Sequence, residues 1–198
     1  MSWKSWVRSH PLKASLLVLI LVVASSVVAY AYFSTLPAKS GPQASIESQP
    51  LKLTIRLDKT SFQQGENITI NISVENVSNE TIKITFPESF GYLDDQNKWH
   101  QVYFDFVIVD ENDTEIWRWS YPKLAAQMIY DVVLGAGEKL TNILVWNQNI
   151  YRGFDVFQIP AGTYHVRAAM PAGESSIDID GGSKGVSLET PSIMFTVG

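Results

Sequence analysis

The chain has 198 residues, of which 45% are hydrophobic, 12% aromatic and 18% charged, a composition that excludes a disordered or collagen-like protein. It contains no cysteine, which excludes disulfides, thiolate metal sites and a cysteine nucleophile. Lys4, Arg8 and Lys13 are the charged residues among the first 33, so 12 basic and 20 acidic residues remain beyond them, and this formal charge of −8 argues against nucleic acid as a partner.

The first predicted element is an uncharged apolar segment, residues 14–33, which is long enough for a helix to cross about 30 Å of hydrocarbon. The basic residues before it predict that residues 1–13 stay in the cytoplasm and that the rest lies outside, on a single-pass signal anchor in the cell membrane. A cleaved signal peptide is the alternative, because Ala29-Tyr30-Ala31 has a small-x-small pattern; the protein would then be secreted after cleavage near Ala31. The length of the apolar segment favours the anchor.

Residues 34–50 are rich in Pro, Ser and Gly and lack hydrophobic periodicity. This composition predicts a stalk between the membrane and a domain that spans residues 51–198.

Beyond the stalk, apolar residues alternate with polar ones at period two, which is typical of half-buried strands. The pattern predicts nine short strands, at residues 51–57, 68–74, 82–86, 103–110, 115–120, 128–134, 139–146, 163–170 and 192–197. Residues 88–101 and 173–189 are predicted to be long loops. The fold class is therefore an all-β, immunoglobulin-like antiparallel sandwich of about eight or nine strands, preceded by one transmembrane helix.

Two local features favour the immunoglobulin-like form of the sandwich. Tyr164 follows the turn that contains Pro160 and Gly162, where its hydroxyl can reach upstream backbone as a tyrosine corner. Trp117 and Trp119 lie two residues apart and share one face of a strand, so at least one of them is predicted to pack in the core.

Two other tryptophans, Trp99 and Trp146, are predicted to be exposed anchors on a binding surface. Five Asn-x-Ser/Thr sequences also agree with an extracytoplasmic location, although Asn and Thr are ordinary residues at a polar strand edge. The candidate N-glycosylation sites are Asn67, Asn71, Asn76, Asn79 and Asn112.

Candidate catalytic groups are few. The three histidines, His10, His100 and His165, are isolated in the sequence, and no hydrolase, zinc-protease or phosphate-loop motif is present. Two acidic segments, at residues 110–115 and 178–180, offer spaced oxygen ligands, but the first is better explained as a hairpin turn at Asn112-Asp113. The sequence therefore predicts a protein without enzymatic activity, resident metal or cofactor.

The segment from Phe104 to Ser120, with its Trp117-Arg118-Trp119-Ser120 strand, resembles the signature of the intracellular proteinase inhibitor (BsuPI) family. Matching positions follow in order over residues 51–169, although Asp113 replaces the family's hairpin Gly and Ala136 the Pro of its Gly-Glu turn. The signature residues are Asp110, Trp117, Arg118, Trp119, Ser120, Gly137, Glu138, Gly162 and Tyr164.

The resemblance implies an immunoglobulin-like binding module that inhibits a subtilisin-type serine protease by occupying it. The partners predicted are thus the membrane, through the N-terminal helix, and a serine protease or another surface protein. The alternative is a non-inhibitory adhesion, assembly or carbohydrate-binding module, because a sandwich fold does not determine function.

Overall fold

The computed structural model describes residues 41–86, 90–93, 96–121, 129–152, 155–170, 175–179 and 182–198. These residues contain seventeen strands and no helix. A membrane-spanning helix is therefore not found in the described part of the chain. The predicted basic segment and anchor, residues 1–33, lie outside the described residues. The strands are β1 (Gln43–Ser48), β2 (Leu51–Leu57), β3 (Ser61–Phe62), β4 (Ile68–Asn76), β5 (Ile82–Phe86), β6 (Phe90–Leu93), β7 (Trp99–Val102), β8 (Asp105–Val109), β9 (Glu115–Arg118), β10 (Tyr130–Leu134), β11 (Lys139–Trp146), β12 (Asn149–Arg152), β13 (Asp155–Gln158), β14 (Gly162–Ala169), β15 (Ser176–Ile179), β16 (Gly182–Gly185) and β17 (Ile193–Val197).

Three sheets contain most of these strands. The first sheet has the strand order β1-β2-β4-β11, the second β3-β17-β14-β8-β9 and the third β10-β5-β15-β16. The hairpins β6–β7 and β12–β13 form two further small sheets. Pairing is antiparallel except between β3 and β17, so the prediction of an all-β antiparallel fold is confirmed.

The first and second sheets pack face to face around one hydrophobic core. Burial alternates along β2 and β4, as the period-two sequence pattern requires, and the buried side chains join those of β8, β14 and β17 in one cluster. Trp146 of the first sheet contacts Phe106 and Phe195 of the second, with ring centroids 6.5 and 6.4 Å apart. These two sheets therefore form a β-sandwich.

One long ribbon of two strands links the first sheet to the third. Strands β4 and β5 form one arm and β10 and β11 the other. Ile68 pairs with Trp146 at one end of the ribbon, and Phe86 pairs with Tyr130 at the other. Between the two ladders, residues 77–81 and 135–138 interrupt the pairing and let the ribbon change sheets. We call this interruption the corner.

The nine predicted strands all correspond to observed strands, but the structure adds eight short ones among the described residues. Residues 43–48 of the predicted stalk form β1, which pairs with β2 from Gln43↔Arg56 to Ser48↔Leu51, so the stalk prediction is wrong there. The two predicted long loops contain β6, β7, β15 and β16. The alternating sequence pattern does not predict these strands, because backbone hydrogen bonds at sheet edges and in hairpins do not require a row of buried side chains.

Candidate functional site

The turn between β8 and β9 is built around the side chain of Asp110. Its Oδ1 accepts hydrogen bonds from the backbone N–H groups of Asn112 and Thr114, both at 2.9 Å, and the hairpin predicted here is confirmed. Asp113 has a φ of 61°, in the left-handed region that Gly adopts freely and Asp tolerates. The family's hairpin Gly is therefore explained by a backbone requirement that Asp113 also meets.

Asp105 is a buried carboxylate at the start of β8. Its Oδ1 accepts from the N–H groups of Phe106 (2.9 Å) and Ser120 (3.0 Å), and its Oδ2 accepts from the Ser120 hydroxyl (2.6 Å). Burial raises the pKa of Asp105, although the hydrogen bonds from Ser120 act in the opposite direction. Ser120 thus closes the end of the β8–β9 hairpin onto Asp105.

Arg118 lies above this carboxylate on the outer face of the second sheet. Its guanidinium donates two hydrogen bonds to Glu115, at 2.8 and 2.6 Å, and its Nη1 lies 3.7 Å from Asp105 Oδ2. The hydrogen bonds from Arg118 lower the pKa of Glu115. Arg118 therefore neutralises carboxylates of its own hairpin.

Trp117, Trp119 and Trp146 are all buried, with no more than 5% of any of them exposed. Trp117 and Trp146 stack across the two sheets with ring centroids 5.3 Å apart and an interplanar angle of 10°. The prediction of an exposed Trp146 is wrong because Trp146 pairs with Ile68 on the core side of the first sheet, and its Nε1 donates to the Asn149 carbonyl at 2.9 Å. Trp99 lies in β7, but its side chain lies outside what the structure describes.

Gly137 and Glu138 form the β10–β11 turn at the corner. Gly137 has a φ of 74°, and the Glu138 carboxylate accepts from the N–H of Gly135 at 2.7 Å. Asn76, at the end of β4, is fully buried beside this turn. Its Nδ2 donates to the backbone carbonyls of Glu80 (2.6 Å), Leu134 (3.0 Å) and Gly135 (3.1 Å).

These contacts contradict glycosylation at Asn76. The Nδ2 atom is the one that would carry a glycan, and here it is buried and engaged by three carbonyls. Asn67, Asn79 and Asn112 are exposed and Asn71 is half-buried on the outer face of the first sheet. Glycosylation at these four positions stays a prediction.

Tyr164 forms the predicted tyrosine corner. Its hydroxyl donates to the Pro160 carbonyl at 2.8 Å, and burial raises its pKa. A Cβ added to Gly162 would lie 3.4 Å from the Tyr164 hydroxyl oxygen, so a small residue suits this position.

Gln148 is a buried residue that the sequence did not reveal. Its Nε2 donates to the carbonyls of Gln63 and Glu66, both at 2.8 Å, and its Oε1 accepts from the N–H of Gly65 at 2.9 Å. One amide thereby fixes the whole turn of residues 63–66. No local pattern marks Gln148, because its partners are distant in sequence.

Within the described ranges, no group of three His, Cys, Asp or Glu side chains is placed to hold a metal ion. The Asp110 carboxylate of the first acidic segment binds the backbone of its own turn. Asp180 of the second lies outside the described residues.

A cleft of ≈ 500 Å³ opens at the side of the sandwich, where edge strand β9 of the second sheet faces edge strand β11 of the first. We call it the tryptophan cleft. Its walls are mostly apolar, and β12 lies against β9 beside it. The lining residues are Trp117, Trp119, Leu144, Val145, Trp146, Asn147 and Tyr151.

A family model described as the intracellular proteinase inhibitors, BsuPI, matches residues 55–175, which is more than half of the chain. The chain belongs to the BsuPI family. No curated protein matches it significantly. BsuPI is an inhibitor family, in agreement with the predicted lack of enzymatic activity.

Solved structures that resemble this BsuPI chain do so at low identity. A β-glucosidase from Listeria innocua is 14% identical with a TM-score of 0.39, over 78% of this chain and 16% of that one. The C-terminal domain of wzt is 8% identical with a TM-score of 0.40, over 83% of each chain. An alkylpurine DNA glycosylase from Pseudomonas fluorescens is 12% identical with a TM-score of 0.36, over 75% of this chain and 30% of that one. This chain therefore spans only a small part of the glucosidase and glycosylase.

The BsuPI signature residues thus serve the scaffold: they pack the core, cap turns or close the sandwich. Asp110 caps the β8–β9 turn, Trp117 and Trp119 fill the core, and Gly137 turns the corner. The Arg118 side chain is 45% exposed, and its ion pair is with Glu115 of the same hairpin.

Proposed function

We propose that this BsuPI chain inhibits a serine protease of the subtilisin type by binding to it, without chemistry of its own. The match of the family model over residues 55–175 carries the proposal. The buried tryptophans, the tyrosine corner of Tyr164 and the two facing sheets support an immunoglobulin-like sandwich as the scaffold.

We further propose that the inhibitor acts outside the cytoplasm, held at the membrane by residues 14–33. The uncharged apolar sequence and the preceding Lys4, Arg8 and Lys13 support this location. Secretion after cleavage near Ala31 is the competing outcome, and N-terminal sequencing of the protein from both the membrane fraction and the culture medium distinguishes the two.

The test is a titration of the full-length chain, kept soluble with a non-ionic detergent, into a bacterial subtilisin while residual activity is measured. An inhibitor removes activity in proportion to its molar amount, and mass spectrometry then finds residues 41–198 intact. Heat-unfolded chain at the same concentration is the control, because it reports simple competition by a degradable protein. No loss of activity at a large molar excess, or equal loss with the unfolded control, contradicts the proposal.

A further inference from the structure

Strand β11 presents an edge with which no other described strand pairs, although its Asn142 side chain accepts a hydrogen bond from the N–H of Tyr103 and donates one to the carbonyl of Gln101, both at 3.1 Å. On one side it pairs with β4 along its whole length, from Lys139↔Glu75 to Trp146↔Ile68. On the other side it ends the first sheet, so the N–H and C=O groups that point away from β4 meet no strand among the described residues. Such an edge is a template for an added strand.

Two large apolar side chains stand on the outer face of this edge strand. Ile143 and Val145 are each 59% exposed, whereas their neighbours Leu144 and Trp146 are buried in the core. A strand that pairs with β11 would cover Ile143 and Val145 with its outward side chains.

The inward side chains of an added strand would enter the tryptophan cleft, because a sheet extended beyond β11 continues over β9. Val145 belongs to both the edge strand and the cleft lining, so the two features are one surface. The cleft volume of ≈ 500 Å³ is within the range of side-chain and small-ligand pockets. A bulky apolar side chain therefore fits the cleft chemistry.

Charge selects the partner segment. The chain beyond residue 33 has a formal charge of −8, yet residues 140–151 contain no Asp, Glu, Lys, Arg or His. Lys139, the first residue of β11, is ion-paired with Glu75 at 3.1 Å, so a charged segment would find no counter-charge along residues 140–151 and would lose hydration on docking. An uncharged segment is the complementary one.

We infer that β11 and the tryptophan cleft form the surface that contacts the protease, by taking an extended, uncharged protease segment as an added strand with a bulky apolar side chain in the cleft. This inference rests on the proposed function. Two BsuPI signature residues, Trp117 and Trp119, line the cleft, and Trp117 also stacks on Trp146 of β11.

The test compares two variants of the full-length chain in the subtilisin titration, Val145→Asp and Val133→Asp. Val133 is a matched control, because it is 60% exposed and lies on edge strand β10 of the third sheet. We expect Val145→Asp to weaken inhibition at least tenfold and Val133→Asp to change it less than twofold. Ile143→Asp provides a second substitution on the same edge, and thermal unfolding verifies that each variant is folded.

The outcomes separate the two proposals. If the wild-type chain does not inhibit, the proposed function fails and the inference fails with it. If the wild-type chain inhibits and both edge variants, Val145→Asp and Ile143→Asp, inhibit equally well, only the inference is overturned. Sedimentation of the free chain tests whether a second copy of the chain occupies the β11 edge instead. If the wild type is a dimer, and Val145→Asp is a monomer that inhibits equally well, the edge belongs to the dimer and the inference is overturned.

Discussion

Asn76→Ala is expected to remove the amide that holds the corner together. Asn76 is fully buried, donates three hydrogen bonds to backbone carbonyls and accepts two more, from the N–H (3.0 Å) and hydroxyl (2.7 Å) of Ser78. The hydrogen bond to the Leu134 carbonyl is buried, so loss of the Asn76 amide would leave this carbonyl without that donor at a cost of about 1–3 kcal/mol. The other four hydrogen bonds of Asn76 are partly accessible to water. Together these losses lower the free energy of unfolding by about 3–5 kcal/mol.

Urea denaturation followed by tryptophan fluorescence measures this loss, and thermal unfolding should show a decrease in Tm of roughly 10 °C or more. Asn79→Ala is the matched control, because Asn79 belongs to the neighbouring Asn-x-Thr sequence but is exposed, and its effect should stay within about 0.5 kcal/mol. Asn76→Asp should be more damaging at pH 7 than at pH 4, because only its protonated form can donate to a carbonyl. A loss below about 1 kcal/mol for Asn76→Ala would refute the assignment of the corner to this side chain.

Three further substitutions test other parts of the scaffold. Tyr164→Phe removes the hydrogen bond to Pro160 and should cost about 1 kcal/mol in urea unfolding, while an unchanged stability would contradict a structural role for the hydroxyl. Asp113→Val forces a β-branched residue to a φ of 61° and should cost about 1–2 kcal/mol, whereas Asp113→Gly should be nearly neutral; equal effects in thermal unfolding would argue against backbone strain. Asp105→Asn keeps an acceptor for the hairpin amides but removes the titration. Because the folded-state pKa of Asp105 is raised, the folded state retains a proton that the unfolded chain has lost, so wild-type stability decreases as pH rises from about 4 through that pKa. The stability of Asp105→Asn relative to wild type should therefore increase over this range, and a pH-independent difference would contradict the raised pKa.

Two strands with strict alternation could be predicted from the sequence with both of their ends, whereas β4, which also alternates, continues two residues beyond its predicted end, to Asn76. The predicted bounds of β2 and β5 are those observed, because Leu51, Leu53, Ile55 and Leu57 occupy one parity and all face the core. In β11 apolar residues occupy both parities, so the sequence alone does not indicate which set is buried. The pairing of Trp146 with Ile68 determines which set faces the core, and this pairing joins residues that are distant in sequence.

The surface was less predictable than the core. Strand β1 exposes most of its side chains and is held by backbone pairing with β2, so no hydrophobic pattern marks it. Gln148 and Asn76 act on backbone groups that are distant in sequence or lie in turns, where residue type gives no signal of burial. The tryptophan cleft requires two strand edges to come together, which depends on the order of strands in both sheets.

The ribbon also sets the order in which the chain can acquire structure. Its two arms are far apart in sequence. Ile68 cannot pair until Trp146 is present, and Phe86 cannot pair until Tyr130 is present. Closing such long loops costs entropy before any contact compensates, so folding is expected to be slow and late. While the chain is still being synthesised, β2 and β4 can already pair, but the side of β4 that later binds β11 stays open to wrong partners. A chain released before residue 146 is complete would therefore leave one edge of β4, whose Ile68, Ile70, Ile72 and Val74 belong to the core, without its partner strand.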